Sequence, residues 1–307
     1  MGTPHFALGV LTHLIETGYT VVGVITAPDK PAGRGRKIRA SAVKEYAVSK
    51  GLPVLQPKNL KDPYFLKALA ALEPELQVVV AFRMLPEVVW AMPSQGTFNL
   101  HASLLPQYRG AAPINWAIIN GETETGVTTF FIDEKIDTGA LILQETVAMD
   151  ERETFETLHD KLLDTGKVLV AKTIDGISQG TLTSTPQQVN TTLKPAPKLR
   201  PENTRIQWEA PAHTIDALAR GLSPFPTAWT TLEHQDELLK VKIYSGRFLT
   251  EDHEHTSGTI IASKNELKIA TKDGWYFVEE LQLPGKRKMD VKSLLNGFSF
   301  EQDAKMS

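Results

Sequence analysis

The segment from Thr97 to Ile114 most constrains what this chain can fold into. Side chains from Thr97 to His101 alternate between two faces as in a strand, so Asn99 and His101 lie together at its end. The chain then turns through Ser-Leu-Leu-Pro and resumes as a helix with Pro113 in its first turn, where a missing N–H costs nothing. In an open α/β sheet, such strand-to-helix crevices hold ligands. This segment therefore predicts an α/β fold with a polar pair at a ligand-binding edge.

These polar side chains suit the stabilisation of an oxyanion. The Asn99 amide can donate a hydrogen bond, and the His101 imidazole can donate, accept or shuttle a proton near neutral pH. Asp137 precedes a Thr-Gly turn between two apolar runs, where its carboxylate could orient the imidazole and take a proton. Each residue also has an ordinary interpretation, as a satisfied polar group or a turn former. Ser103 could complete a nucleophilic triad with His101 and Asp137, although its position in the Ser-Leu-Leu-Pro turn disfavours this.

Composition and short motifs exclude several classes of protein. The chain has 307 residues, a net charge of −3 and no cysteine, which rules out disulfides, thiolate chemistry and cysteine-based zinc sites. No apolar run is long enough to cross a bilayer, and no secretory signal pattern opens the chain. No Gly-x-Gly-x-x-Gly or phosphate loop follows a strand, which argues against a nicotinamide or ATP enzyme. We predict a cytoplasmic, monomeric enzyme without a metal or a membrane partner.

The chain divides into three regions. Residues 1–183 alternate helices with buried strands, which predicts a Rossmann-like catalytic domain, a largely parallel sheet with helices on both faces. Residues 184–203 are rich in Thr, Gln, Asn and Pro without an apolar period, which predicts a linker. Residues 204–307 contain short, closely spaced apolar runs, which predict a small β-barrel. A long helix is predicted from Thr154 to about Asp175, with Val168 among its inner residues.

The beginning of the chain departs from the α/β pattern. Phe6 to Gly18 has helical spacing and Tyr19 to Thr26 predicts a buried parallel strand, yet no strand precedes the helix. A missing central strand would leave backbone groups of its neighbours unpaired, at about 1 to 3 kcal/mol for each buried group. We therefore expect either an N-terminally shortened chain or a compromised fold.

Two basic stretches are candidates for contact with phosphate. The stretch from Pro28 to Arg39 contains five cations and one acid, and its prolines and glycines predict an exposed loop without regular structure. A solvated loop or a nest for a small anion explains it equally well. Lys286-Arg287-Lys288 is the basic cluster of the C-terminal region, and a solvated loop is its simpler interpretation. His253-Glu254-His255 is interpreted as a loop, since zinc requires better-spaced ligands.

The combination Asn99-x-His101, Ser-Leu-Leu-Pro-x-Tyr-Arg-Gly-Ala-Ala-Pro-Ile and Asp137-Thr-Gly resembles the formyltransferases that use 10-formyltetrahydrofolate. The resemblance covers nearly the whole chain and is strongest to members that act on methionyl initiator tRNA. It implies that Asn99, His101 and Asp137 are catalytic, that 10-formyltetrahydrofolate is the formyl donor and that no metal is needed. Alternatives are a sister formyltransferase acting on an amino sugar nucleotide, a formyltetrahydrofolate hydrolase domain and a noncatalytic RNA-binding module.

The resemblance also implies which residues bind the two substrates. Two runs correspond to segments that hold the folate: Phe82, Arg83, Met84, Leu85, Ser103, Leu104, Leu105 and Pro106. Family members often carry Tyr-Gly where this chain has Phe82-Arg83. The basic loop would enter the acceptor-stem end of initiator tRNA, which implies RNA contacts for Arg34, Arg36 and Lys37. The C-terminal barrel would be of oligonucleotide-binding type and would hold the tRNA.

Overall fold

The structure is a computed structural model that describes residues 1–32, 37–189, 192–301 and 303–307. It contains two compact units, each assembled from separate stretches of chain. The first unit comprises Met1–Gly110, Glu124–Ala148 and His159–Pro195. The second comprises Ala111–Thr123, Met149–Leu158 and Ala196–Ser307. The segment at 184–203 therefore supplies residues to both units.

The described elements alternate in the first half of the chain and are mainly strands in the second. The helices are α1 (His5–Glu16), α2 (Ala42–Ser49), α3 (Pro63–Ala70), α4 (Glu87–Trp90), α5 (Pro113–Ile119), α6 (Phe155–Ser178), α7 (Ala212–Leu222) and α8 (Val291–Leu295). The strands are β1 (Val24–Ile25), β2 (Lys30–Ala32), β3 (Lys37–Arg39), β4 (Val54–Leu55), β5 (Gln77–Val80), β6 (Thr97–His101), β7 (Glu124–Phe131), β8 (Leu141–Ala148), β9 (Ala228–His234), β10 (Glu237–Thr250), β11 (Ile260–Ala262), β12 (Leu267–Ala270), β13 (Gly274–Gln282), β14 (Met289–Asp290) and β15 (Lys305–Met306).

The first unit is the predicted α/β fold. Its main sheet has the order β5-β6-β7-β8, with β5 and β6 parallel and the following pairs antiparallel. β1 and β4 form a separate parallel pair. α2 begins after Ser41, because the Ser41 hydroxyl accepts from the Lys44 N–H at 3.2 Å. α6 is also present, but Val168 is 42 % exposed, so its predicted place on the inner face is wrong.

Met1 and Gly2 connect the two sheets. The Gly2 N–H donates to Ile25 O at 3.0 Å, and the Val80 N–H donates to Met1 O at 2.9 Å. Beyond these two residues, a largely apolar groove of about 380 Å³ separates the strand edges. The prediction of a strand over 19–26 is wrong except at Val24–Ile25. A strand needs a neighbour for its backbone hydrogen bonds, and on the side that faces the groove only Gly2 provides one.

The second unit contains the predicted barrel. Its antiparallel sheet has the order β11-β12-β13-β10-β9-β15, with β14 paired to β13. A bridge between Thr259 and Lys305 joins the two edges, so the sheet closes on itself. Trp208 and Tyr276 are the largest side chains of its core. Among the described residues, no helix is both long enough and apolar enough to span a membrane.

Candidate active site

β6 presents the two polar residues of the predicted site. Asn99 lies opposite Val79 of β5 and Phe130 of β7, and His101 lies opposite Thr128 of β7. The strand therefore occupies the interior of the sheet, and its alternation directs Asn99 and His101 to one face. The sequence-based placement of this pair is confirmed.

The His101 ring is buried and hydrogen-bonded on one side. Its Nε2 lies 2.9 Å from the carbonyl oxygen of Tyr108. A carbonyl can only accept, so Nε2 carries a hydrogen and donates it. The Tyr108 carbonyl is itself held in place, because the Tyr108 N–H donates to Lys194 O at 2.7 Å. Nδ1 is therefore the ring nitrogen available for proton exchange.

Asp137 faces that second nitrogen. Its Oδ2 lies 3.9 Å from His101 Nδ1 and accepts from the Gly110 N–H at 2.9 Å. A separation of 3.9 Å is too long for a direct hydrogen bond, although catalytic contacts commonly shorten when substrate binds. The carboxylate is largely buried, so its charge is poorly screened by solvent. The structure thus brings together the three residues that the motif predicted to be catalytic.

The oxygen of the Asn99 amide is left over by the described part of the chain. This Oδ1 is buried and has no hydrogen-bonding partner among those residues. An unpaired buried polar atom costs about 1 to 3 kcal/mol, so a donor from a ligand or a water would be stabilising at this oxygen. The alternative interpretation, that Asn99 is a satisfied structural residue, does not describe Oδ1.

The turn that follows β6 is fixed by two polar residues from the neighbouring strands. Thr128 Oγ1 donates to Ser103 O at 2.6 Å, and Gln144 Nε2 donates to Leu105 O at 2.9 Å. The Ser103 hydroxyl is fully buried and donates to Gln107 O at 2.7 Å. Because that hydrogen is engaged within the turn, the structure gives no support to Ser103 as a nucleophile.

Both predicted folate segments leave the sheet at the same edge. Val80 of β5 lies beside Leu100 of β6 in parallel register, so residues 82–85 and 103–106 begin side by side. Met84 is 64 % exposed and available to a ligand. The buried members, Leu85, Ser103 and Leu105, could reach a folate only through their backbone.

The remaining members of these segments differ in how available they are. The Arg83 guanidinium donates to the carbonyls of Pro57 and Lys58, and is thereby engaged by the protein. Phe82, Leu104 and Pro106 are half-buried. Their folate contacts stay a prediction.

The described residues of the basic stretch after β1 form two short strands. Lys30–Ala32 and Lys37–Arg39 pair as an antiparallel ribbon, so the prediction that this stretch has no regular structure is wrong at both ends. A proline is tolerated there because each strand of a ribbon needs pairing on one side only. Arg34 and Arg36 lie outside the described residues, and Lys37 is described only as part of β3.

Asp29 anchors the base of this ribbon. It accepts from Gln56 Nε2 at 2.8 Å and from Lys44 Nζ at 2.5 Å, and these bonds hold the pKa of its carboxyl below the usual value. The residue that precedes the ribbon is therefore held in place on the first unit.

The barrel gathers a second basic cluster that the linear sequence does not reveal. Lys240 Nζ lies 4.0 Å from the centroid of the Trp229 ring, and the Arg205 guanidinium lies 5.4 Å from it. Arg200 and Lys242 line an adjoining depression of about 190 Å³. None of these four cations is within salt-bridge distance of a carboxylate in the described ranges. We call this set the Trp229 cluster.

Sequence reasoning missed the residues that hold the site together. Gln187 contacts the Asp137 loop and Arg109 from a stretch predicted to be a linker, and Thr128 and Gln144 fix the Ser103–Leu105 turn. These partners are distant in sequence, so no local pattern could have indicated them.

Comparisons with known proteins agree with the motif. The formyl transferase family profile matches residues 1–174, and the profile of the formyl transferase C-terminal domain matches residues 198–299. The chain is 56 % identical to the methionyl-tRNA formyltransferase of Flavobacterium johnsoniae over 306 residues, covering 100 % of this chain and 97 % of that protein. It is 51 % identical to the Bacteroides fragilis methionyl-tRNA formyltransferase over 311 residues, covering 100 % and 96 %.

Among solved structures, similar folds occur in more distant proteins. WlaRD, a sugar 3N-formyl transferase, matches with a TM-score of 0.65 and 20 % identity, covering 93 % of this chain and 97 % of that one. HypX from Aquifex aeolicus in complex with tetrahydrofolic acid matches with a TM-score of 0.59 and 19 % identity, covering 82 % and 43 %. At these identities the likeness concerns the fold alone. From the profiles and the full-length relatives, the chain belongs to the formyl transferase family.

Proposed function

We propose that this enzyme transfers the formyl group of 10-formyltetrahydrofolate to the α-amino group of methionine carried by initiator tRNA, in the cytoplasm. Relatives at 51 to 56 % identity along nearly their full length are methionyl-tRNA formyltransferases, which supports this acceptor. The observation that carries the chemistry is the Asn99 amide on the same strand face as His101, its Oδ1 without a partner among the described residues, with Asp137 3.9 Å from the imidazole.

The reaction requires one bond to form and one to break at the formyl carbon. The unprotonated α-amino nitrogen attacks that carbon, and its carbonyl oxygen becomes an oxyanion. The amide of Asn99 and a protonated Nδ1 of His101 can donate to that oxygen, and such donors are each worth about 2.7 to 4 kcal/mol of barrier. The bond to N10 of the folate then breaks, and the electron pair leaves on that nitrogen.

Proton movement accompanies this exchange. The attacking nitrogen becomes positively charged and must lose a proton, while N10 must gain one. Asp137 is the carboxylate beside His101, and it can take the proton directly or through water. The hydrogen bond from the Gly110 N–H leaves three of its four lone-pair sites for this role.

The Trp229 cluster supports a nucleic-acid acceptor. Cations interleaved with an aromatic ring are the arrangement that proteins use to hold the backbone and bases of single-stranded or looped RNA. The chain as a whole carries a net charge of −3, so cations concentrated around one tryptophan, without a carboxylate partner among the described residues, are a local feature. An amino sugar nucleotide has at most two phosphates, and it offers no ligand for a separate basic surface on the barrel.

An assay of acceptor choice tests the proposal. Formyl incorporation should be efficient with methionyl initiator tRNA, much slower with methionyl elongator tRNA and undetectable with an amino sugar nucleotide. Calorimetry with a folate analogue provides a second measurement, because a noncatalytic RNA-binding module would release no heat with folate. Equal transfer to both tRNAs, or preference for the sugar nucleotide, would refute the assigned acceptor.

A further inference from the structure

One glutamine in the predicted linker reaches the candidate active site. Gln187 lies two residues beyond Thr185, whose backbone exchanges two hydrogen bonds with Leu141 of β8 at 2.8 and 2.9 Å. The start of the segment is thus an additional edge contact of the first unit's sheet. This pairing fixes where the Gln187 side chain can reach.

Both ends of the Gln187 amide are engaged. Nε2 donates to the carbonyl oxygens of Asp137 at 3.0 Å and Gly139 at 2.9 Å. Oε1 accepts from Nε and Nη2 of Arg109 at 3.1 and 2.5 Å. A primary amide has two donor hydrogens and two acceptor lone pairs, so this side chain is saturated by two loops that are remote in sequence.

These two loops are the ones that position the catalytic carboxylate. Asp137 has a φ of +55°, a backbone conformation that residues other than glycine rarely adopt. Gly139 is confined as well, since a Cβ there would clash with the Phe131 carbonyl. On the other side, Arg109 precedes Gly110, whose N–H binds the Asp137 carboxylate. Gln187 therefore binds both the backbone of Asp137 and the side chain of Arg109, which precedes the hydrogen-bond donor Gly110.

We infer that Gln187 is a positioning residue, which aims the Asp137 carboxylate at His101 Nδ1 and keeps the Arg109 guanidinium away from that carboxylate. This inference rests on the proposed function, in which Asp137 accepts the proton. Without Gln187, the left-handed turn loses the two hydrogen bonds that hold its carbonyls. Arg109 is released at the same time and becomes a competing cation for the carboxylate.

The test is a double-mutant cycle in formyl transfer to methionyl initiator tRNA. Gln187→Ala should lower kcat about 10- to 100-fold, in line with the cost of a catalytic group misplaced by about 1 Å, while KM for both substrates stays within about threefold. In an Asp137→Asn background, Gln187→Ala should lower kcat by less than about a further twofold, because the carboxylate that Gln187 positions is gone. In an Asn99→Ala background, Gln187→Ala should again lower kcat about 10- to 100-fold, because Asn99 acts independently of Gln187.

Two further variants complete the test. Gln187→Glu keeps acceptors for Arg109 but cannot donate to the two carbonyls, so it should lose most of the same kcat. Val189→Ala alters an exposed neighbour in the same segment and should leave kcat within about twofold. Each variant should remain folded under the conditions of the assay, as checked by its denaturant midpoint, and Gln187→Glu provides the measurement if Gln187→Ala does not fold.

An equal loss from Gln187→Ala with and without the Asp137 carboxylate would overturn the inference, since it would indicate a general structural role. Unchanged kcat in both Gln187 variants would also overturn it. Failure of the proposed function has a different signature, namely unchanged rates in Asn99→Ala and Asp137→Asn themselves.

Discussion

Asp216 of α7 lies at the centre of a buried charge cluster, and its neutralisation should destabilise the second unit. Its side chain is 2 % exposed, and its Oδ2 accepts from Arg152 Nη1 at 2.8 Å and from Arg220 Nε at 2.7 Å. Oδ1 has no partner among the described residues. Asp216→Asn removes the negative charge while leaving two guanidinium groups in place.

The magnitude follows from the exposure of the two arginines. Breaking a buried ion pair by removing one partner costs about 3 to 5 kcal/mol. Arg152 is 51 % exposed and can be rehydrated, whereas Arg220 is 15 % exposed but keeps a hydrogen bond to Glu153 O. We therefore expect the lower end of that range, about 3 kcal/mol. With a urea dependence of about 2 kcal/mol per M, the unfolding midpoint should fall by about 1.5 M.

Tryptophan fluorescence is the appropriate assay because four of the five tryptophans belong to the second unit, the exception being Trp90. Asp252→Asn, an exposed carboxylate of the same unit, is the matched control and should shift the midpoint by less than about 0.25 M, equivalent to 0.5 kcal/mol. A midpoint for Asp216→Asn within about 0.5 M of the parent would refute the view that this buried carboxylate neutralises Arg152 and Arg220.

One further outcome is expected. Reversing one cation of the Trp229 cluster by Lys240→Glu should weaken binding of methionyl initiator tRNA. The plot of log affinity against log salt should become shallower by about one unit of slope, as for a lost phosphate contact. Lys286→Glu on the same unit should change neither quantity by as much, and equal effects in both variants would contradict a specific cluster.

The site was predictable where its residues lie close in sequence. Asn99 and His101 could be placed on one face because a strand has a period of two, and Asp137 followed from its association with them in a recognisable motif. What holds them could not be predicted, because Gln187 and Asp137 are 50 residues apart and meet only through folding. The composition of residues 184–203 indicated a linker, since glutamine, threonine and proline carry no periodic signal even where they bind a loop.

The fold shows the same division between local and long-range information. The long helix predicted from Thr154 to about Asp175 was placed within a few residues, since α6 spans Phe155–Ser178. The apolar run at 19–26 has the composition of a strand, yet only Val24–Ile25 forms one, because pairing depends on a neighbour elsewhere in the chain. The Trp229 cluster likewise combines cations of residues 200–205 and 240–242 with a tryptophan that lies between these stretches in sequence, so no short window of sequence contains it.

The single-turnover rate of formyl transfer in Asn99→Ala, at saturating folate and charged initiator tRNA, tests the central claim most directly. Within the described residues, the Asn99 side-chain oxygen has no hydrogen-bonding partner. Removal of this side chain should therefore not disturb the sheet. The account predicts a rate about 10² to 10³ lower than that of the parent, with unchanged stability and unchanged binding of both substrates. A rate within a few-fold of the parent would show that this amide does not stabilise the transition state.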